Sequence, residues 1–125
     1  MTAAPDRLRL IARVNEALAL AGDVLTFNDL VAMARERRVQ VFANDEALIA
    51  TELLTYPQAR HLNCFVGAGS LAGMFALETQ VEDFARQYGV TMMIAHGRPA
   101  WGRIGEARGW RADAIRYVKR MEIMQ

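Results

Sequence analysis

Cysteine, histidine and proline are all scarce in this chain. Its 125 residues include one cysteine, Cys64, two histidines and three prolines. A single cysteine excludes an internal disulfide, and we expect Cys64, in the apolar run 62–66, to be a buried small hydrophobic residue. His61 and His96 lack metal-ligand spacing, and no cysteine cluster accompanies them. The sequence therefore predicts no disulfide scaffold and no metal site.

Long apolar runs are also lacking. No uninterrupted run approaches the roughly 18 residues that a membrane-spanning helix needs. The first five residues carry no basic charge, and Arg9, Arg13 and Glu16 interrupt the apolar positions that follow. This pattern does not resemble a signal peptide. We expect a soluble protein that is made in a cytoplasm and has no membrane partner.

Charge is nearly balanced, at +1, but it is unevenly distributed. Residues 1–96 carry 8 basic and 11 acidic side chains, whereas residues 97–125 carry 7 and 3. The near-neutral total argues against a dedicated nucleic-acid-binding protein. The basic C-terminal part is either a solvated face or a contact for an acidic partner or phosphates, and the sequence leaves both interpretations open.

Hydrophobic periodicity predicts an α+β protein. Helices are expected over residues 5–21, ended by Gly22, and from the N-cap Thr26, where Asp29 completes a capping box. Strands are expected over 39–43, 47–55 and 61–66, close enough in sequence to form an antiparallel meander. A loop at 67–70, a helix over 71–88, a strand over 90–96, a helix over 97–108 and a strand over 110–121 follow. The order is α-α-β-β-β-α-β-α-β in a single domain over residues 1–125.

The loop after the third strand contains closely spaced glycines. Gly67-x-Gly69-x-x-Ala72 formally matches a dinucleotide-binding fingerprint. We reject that interpretation because the next strand ends without the acidic residue that would bind a ribose, and because antiparallel strands precede the loop. Two interpretations remain, a phosphate site at the helix N-terminus or a tight strand-to-helix turn capped by Ser70.

Two segments carry a resemblance to a known family, NCFVGAGSLAG at residues 63–73 and GRPAWGRIGEARGW at residues 97–110. With the element order, they resemble the GNAT superfamily of acyl-coenzyme A N-acyltransferases, and in particular small GNAT-like proteins of tailed bacteriophages. The resemblance implies a mostly antiparallel central sheet flanked by helices. If coenzyme binding is retained, it also implies that acetyl-coenzyme A would be held by Gly67, Ala68, Gly69, Ser70, Leu71 and Gly73.

The chain departs from the family pattern where the chemistry lies. The family's pyrophosphate loop reads Gln/Arg-x-x-Gly-x-Gly/Ala, but here Ser70 replaces the long polar residue and Phe75 adds bulk at the end. The family's catalytic tyrosine falls on Gly105, which cannot donate a proton. No carboxylate lies at 64–66 to act as a general base. We therefore predict no catalytic residue and no cofactor.

Three functions fit this pattern. The first is a non-catalytic GNAT-fold phage protein that acts as a virion structural or morphogenesis component. The second is an acetyl-coenzyme A-dependent N-acetyltransferase with an atypical site, in which a water chain or Glu52, Glu106 or His96 would accept the proton. The third is a small phage inhibitor of a host protein.

The first function has consequences for partners and location. We expect other phage proteins, virion components among them, or further copies of the chain as partners. The protein would be found in the host cytoplasm during synthesis and in the virion. The interaction candidates are Arg98, Trp101, Arg103, Arg108 and Arg111.

Overall fold

The computed structural model describes residues 4–20, 24–97 and 101–123. Within these ranges the chain forms four helices and four strands. The helices are α1 (Ala4–Leu20), α2 (Phe27–Arg35), α3 (Leu71–Gln87) and α4 (Trp101–Glu106). The strands are β1 (Gln40–Ala43), β2 (Ala47–Thr55), β3 (Arg60–Gly69) and β4 (Met92–Ala95). No helix among the described residues is both long enough and apolar enough to cross a membrane.

The first two helices form as predicted. The Thr26 hydroxyl accepts a hydrogen bond from the Asp29 N–H at 3.2 Å, and the Asp29 carboxylate accepts one from the Thr26 N–H at 2.9 Å. This reciprocal capping box satisfies two N–H groups that the helix leaves open. The stop assigned to Gly22 lies outside the described residues.

The four strands form one mixed sheet in the order β1-β2-β3-β4. Antiparallel pairing joins β1 to β2 and β2 to β3, whereas β4 is parallel to β3. The turn at Asn44 is held by its own side chain, whose Oδ1 accepts from the N–H groups of Glu46 and Ala47. The predicted meander and the mostly antiparallel sheet are therefore confirmed.

Helices cover both faces of the sheet. One core cluster joins buried residues of α1 and α2, including Val14, Leu18 and Leu30, to Ala50 of β2 and Val66 of β3. The second cluster lies on the opposite face, where Val81 and Ala85 of α3 pack against Leu62 of β3. Alternation along β2 and β3 supplies side chains to both clusters.

Two sequence predictions are wrong at the ends of elements. Residues 67–69 were expected in a loop, but they continue β3, because Gly69, Ala68 and Gly67 pair with Ala47, Leu48 and Ile49. The strand predicted over 110–121 does not form, and residues 110–123 carry no helix or strand. A strand needs hydrogen-bonded neighbours, and this segment has none among the described residues.

Candidate functional site

An opening between β3 and β4 is the main irregularity of the sheet. The parallel pairing runs from His61–Met92 to Cys64–Ala95 and stops there. β3 continues for five more residues, and no described strand pairs with residues 65–69 on that side. Their main-chain groups on this edge are thus available to another extended chain.

A β-bulge at Phe65 marks the start of this opening. Ala50 pairs with Val66 and Thr51 with Cys64, so Phe65 is the extra residue of β3. The bulge reverses the alternation of the strand, because Cys64 lies in the cluster under α3 whereas Phe65 and Val66 pack against the α1 and α2 cluster. Bulges of this kind often lie beside active sites, where they redirect a strand.

The N-terminus of α3 follows directly after β3. The Ser70 hydroxyl accepts a hydrogen bond from the Gly73 N–H at 3.0 Å and donates one to the Glu46 carboxylate at 3.0 Å. Ser70 therefore caps the helix, as the tight-turn interpretation predicts. The Glu46 carboxylate occupies the positive end of the helix dipole, where a bound phosphate would also be stabilised.

Two of the loop glycines are required by packing. A Cβ on Gly69 would lie 2.1 Å from the Glu46 carbonyl oxygen, and the φ of +107° there is rarely adopted by other residues. A Cβ on Gly73 would lie 2.8 Å from the Glu46 Cβ and 2.9 Å from the Ala47 Cβ. The close approach of α3 to the β1–β2 turn thus accounts for both glycines without a ligand.

The other predicted coenzyme-binding residues have different surroundings. Ala68 is buried against α1 and α2, so its side chain serves the core. Gly67 is exposed on the α3 side, 3.2 Å from the Met74 sulfur when a Cβ is added. Leu71 opens α3 and lines a shallow pocket of about 280 Å³ together with Gly69, Met74, Trp101 and Ile104. This pocket joins the end of β3 to α4.

Gly105, the position predicted to correspond to the catalytic tyrosine of the GNAT superfamily, is covered by Trp110. Gly105 lies against Trp110, such that a Cβ on Gly105 would be 3.1 Å from the Trp110 Cβ. The Trp110 N–H also donates to the Gly105 carbonyl oxygen at 2.9 Å. The Trp110 side chain thus lies beside Gly105, and the described neighbours of this position include no proton donor.

Arg108 and Trp110 are both fixed to α3. The Arg108 guanidinium lies over the Phe75 ring at 4.0 Å and donates to Glu78. The Trp110 indole N–H donates to the other Glu78 oxygen at 3.3 Å. Phe75 thus contributes a cation–π contact, and Arg108 is engaged within the chain.

A polar pair lies on the α1 side of the sheet, next to the opening. The Asn63 amide donates to the Glu52 carboxylate at 3.0 Å. The Asn63 Oδ1 atom is buried and has no hydrogen-bond partner among the described residues. Sequence reasoning named Glu52 as a candidate base but missed Asn63, because cross-strand pairing alone brings the two together.

The remaining sequence candidates lie at exposed positions. His96 and Glu106 are exposed, at the end of β4 and of α4. Trp101, Arg103 and Arg111 are exposed as well, whereas Arg98 lies outside the described residues. No group of three potential metal ligands occurs in the described ranges. Partial burial and the Glu78 carboxylate raise the pKa of Cys64 to about 11, so this thiol is not an activated nucleophile.

Known structures share this architecture, although no sequence-family model and no curated protein sequence matches the chain. An acetyltransferase of Trypanosoma brucei is 14% identical, with a TM-score of 0.64 over 90% of this chain and 94% of that one. A probable acetyltransferase is 12% identical, with a TM-score of 0.67 over 100% and 96%. A ribosomal-protein-alanine N-acetyltransferase of Brucella melitensis is 18% identical, with a TM-score of 0.59 over 91% and 95%. These likenesses confirm the predicted fold.

Proposed function

Because the chain has the fold of the GNAT acyltransferases, we propose that it binds acyl-coenzyme A between β3 and β4 and transfers the acyl group to a primary amine. The observation that carries this proposal is the unpaired main-chain edge of residues 65–69, which begins at the Phe65 bulge. Coenzyme A has an extended arm with two amide groups. Such an arm can hydrogen-bond to an open strand edge as an added strand does.

The pocket of about 280 Å³ at the end of β3 also supports binding of the coenzyme beside this strand. It lies at the end of the open edge and is lined by Gly69, Leu71, Met74, Trp101 and Ile104, which are mostly apolar. Apolar and aromatic walls with nearby main-chain groups are typical of cofactor sites. The site would hold the coenzyme through backbone groups and apolar contacts rather than through the long polar side chain that Ser70 replaces.

The reaction needs one proton acceptor on the amine side. The amine nitrogen attacks the thioester carbonyl carbon, the C–S bond breaks, and the coenzyme leaves as a thiolate while the nitrogen loses a proton. Glu52 is our candidate base, and the unpartnered Asn63 Oδ1 is a candidate acceptor for an amine N–H. Both lie within one residue of the last paired row, Cys64–Ala95.

No tyrosine protonates the departing thiolate in this arrangement, because Gly105 and Trp110 fill that place. Loss of a general acid slows such a step by about 10²–10⁴-fold. A coenzyme A thiolate is a better leaving group than an alkoxide or an amide, and it can depart without assistance. We therefore expect slow turnover rather than none.

A second candidate is a non-catalytic GNAT-fold protein that acts through protein contacts. The specific observation in its favour is Glu46, whose carboxylate lies at the α3 N-terminus where the coenzyme pyrophosphate would be held. Retention of a scaffold without its chemistry is common, since a fold does not fix a function. The roles in a phage virion, in its assembly or in host inhibition remain predictions.

An acetyl-transfer assay with a panel of primary amines separates the two candidates. The active enzyme should release free thiol from acetyl-coenzyme A with at least one amine, and Glu52→Gln should reduce the rate about 10²-fold or more. Glu16→Gln removes the same charge from an exposed position of α1 and should leave the rate unchanged. Coenzyme binding without transfer to any amine would favour a binding protein, and absence of both would favour the second candidate.

A further inference from the structure

The segment 111–123 exposes large apolar side chains. After Trp110, which is held to α3 by Glu78, the chain runs for 13 residues without helix or strand. The apolar side chains in it are 67–90% exposed, and they are Ile115, Tyr117, Val118, Met121 and Ile123. So many large apolar side chains in one stretch mark an interaction surface.

The order of residues in this segment is that of a β-strand. Apolar residues occupy the odd positions 115, 117, 121 and 123, whereas 116, 120 and 122 are charged; Lys119 and Val118 are the exceptions. In an extended strand this pattern places four of the five large apolar side chains on one face, and Val118 on the other face with the charged residues. Isoleucine, tyrosine and valine also favour strands. The segment therefore has the composition and most of the alternation of a strand, but it has no strand neighbour among the described residues.

The sheet has a free edge at β4, to which such a strand can be added. β4 pairs with β3 on one side, and no described strand pairs with its other side. Met92 on this strand is 43% exposed. Beside it lies a groove of about 380 Å³ whose lining mixes apolar residues, Val90, Met93 and Trp110 among them, with charged ones such as Glu82 and Arg86. The free edge offers main-chain hydrogen bonds, and the groove offers contact to both apolar and charged side chains.

We infer that two copies of the chain exchange these segments, so that residues 113–123 of each copy add to β4 of the other as a fifth strand. Trp110, the residue from which the segment departs, lines the groove, and the segment forms no strand with its own β4. Each copy thus supplies one open strand edge and one unpaired segment. In a two-fold symmetric dimer, each segment pairs with the open edge of the other copy.

The surface involved is large enough for a stable dimer. Four large side chains on the apolar face of each copy, at on the order of 100 Å² each, remove about 800 Å² from the two segments. The covered edges and grooves add a comparable area. The total reaches the roughly 1,200–2,000 Å² that specific interfaces bury. This inference does not depend on the proposed acyl transfer.

Light scattering and hydrogen exchange on the unsubstituted protein test the exchange. At about 50 µM the mass should be twice 14.0 kDa, and amide protons of both β4 and residues 113–123 should be protected. A monomer in which residues 113–123 are protected would show that the strand docks on its own copy, and this would overturn the inference. A monomer in which they exchange freely would overturn it as well.

Substitution tests which residues hold the dimer together. Ile115→Asp with Tyr117→Asp places charge on the apolar face and should shift the mass to that of a single chain. Val24→Asp is the matched control, because Val24 and Ile115 are both 77% exposed. The control should remain a dimer. If the double variant also remains a dimer, the segment does not form the interface, and the inference fails.

Discussion

The Glu46 carboxylate accepts a hydrogen bond from the Ser70 hydroxyl at 3.0 Å, at the N-terminus of α3. Ser70 also donates its backbone N–H to the Glu46 carbonyl oxygen at 3.0 Å. The β1–β2 turn and the start of α3 are therefore joined through one residue pair. The same pair places a negative charge where the proposed coenzyme brings its pyrophosphate.

Removal of this charge should strengthen coenzyme binding. Glu46→Gln keeps an oxygen that can accept from Ser70 but removes a charge repulsion of about 1 kcal/mol, the size expected for two charges about 4 Å apart when water screens them fully. The dissociation constant for acetyl-coenzyme A should fall about fivefold, as measured by calorimetry. Glu16→Gln, which removes an equal charge from α1, should leave the constant unchanged. Equal effects of the two variants would mean that the pyrophosphate lies elsewhere.

Gly73 should tolerate no side chain, although it lies in a helix. Gly73→Ala brings a Cβ within 2.9 Å of two side-chain carbons and should lower the free energy of unfolding by about 1–3 kcal/mol. Gly102→Ala is the control, since nothing lies within 4 Å of a Cβ there. That change should be neutral or stabilising by up to about 1 kcal/mol. Urea denaturation of both variants measures the contrast, and a neutral Gly73→Ala would refute the packing explanation.

Trp110 should contribute mainly to stability, whereas Trp101 should contribute mainly to coenzyme binding. Trp110 is partly buried against Gly105 and bonded to Glu78, so Trp110→Ala should lower the free energy of unfolding by about 1–3 kcal/mol. Trp101 is 39% exposed and lines the pocket, so Trp101→Ala should cost less stability but weaken coenzyme binding several-fold. Thermal denaturation and calorimetry on both variants check this. Equal losses of stability would contradict the assignment.

Cys64 should make stability sensitive to alkaline pH. Its pKa in the folded protein is raised from 9.0 to about 11, mainly by burial, so folding favours the neutral thiol. The associated stability is intact below pH 9 and is lost as the pH rises towards 11. Between pH 8 and 11 the wild type should lose about 1–3 kcal/mol more than Cys64→Ala, measured by urea denaturation. Parallel pH profiles would show that the thiol is not desolvated.

Local signals in the sequence predict much of this fold. The capping box at Thr26 and Asp29, the turn at Asn44 and the Ser70 cap each depend on residues within three positions of one another. Such contacts can be predicted from the sequence because both partners lie close together along the chain. The glycines at 67 and 69 misled the prediction, because they are typical of loops and their pairing with β2 is a long-range contact.

The site itself is set by contacts that the sequence does not display. The Phe65 bulge follows from the register between β2 and β3, and no residue near Phe65 in the sequence predicts it. Glu46 reaches Ser70 across 24 positions, and Glu78 reaches Trp110 across 32. The strand predicted over 110–121 does not form, because a sequence pattern cannot supply the neighbour that a strand requires.

The most direct measurement is a calorimetric titration of the protein with acetyl-coenzyme A, with adenosine diphosphate and pantetheine titrated separately. Binding between β3 and β4 predicts saturable heat for the whole coenzyme at a dissociation constant below about 1 mM, and competition by pantetheine, which carries the amide arm. Coenzyme at 100 times that constant should stabilise the fold by about 2.7 kcal/mol. Absence of heat and of thermal stabilisation at millimolar coenzyme would contradict coenzyme binding at the open edge of β3.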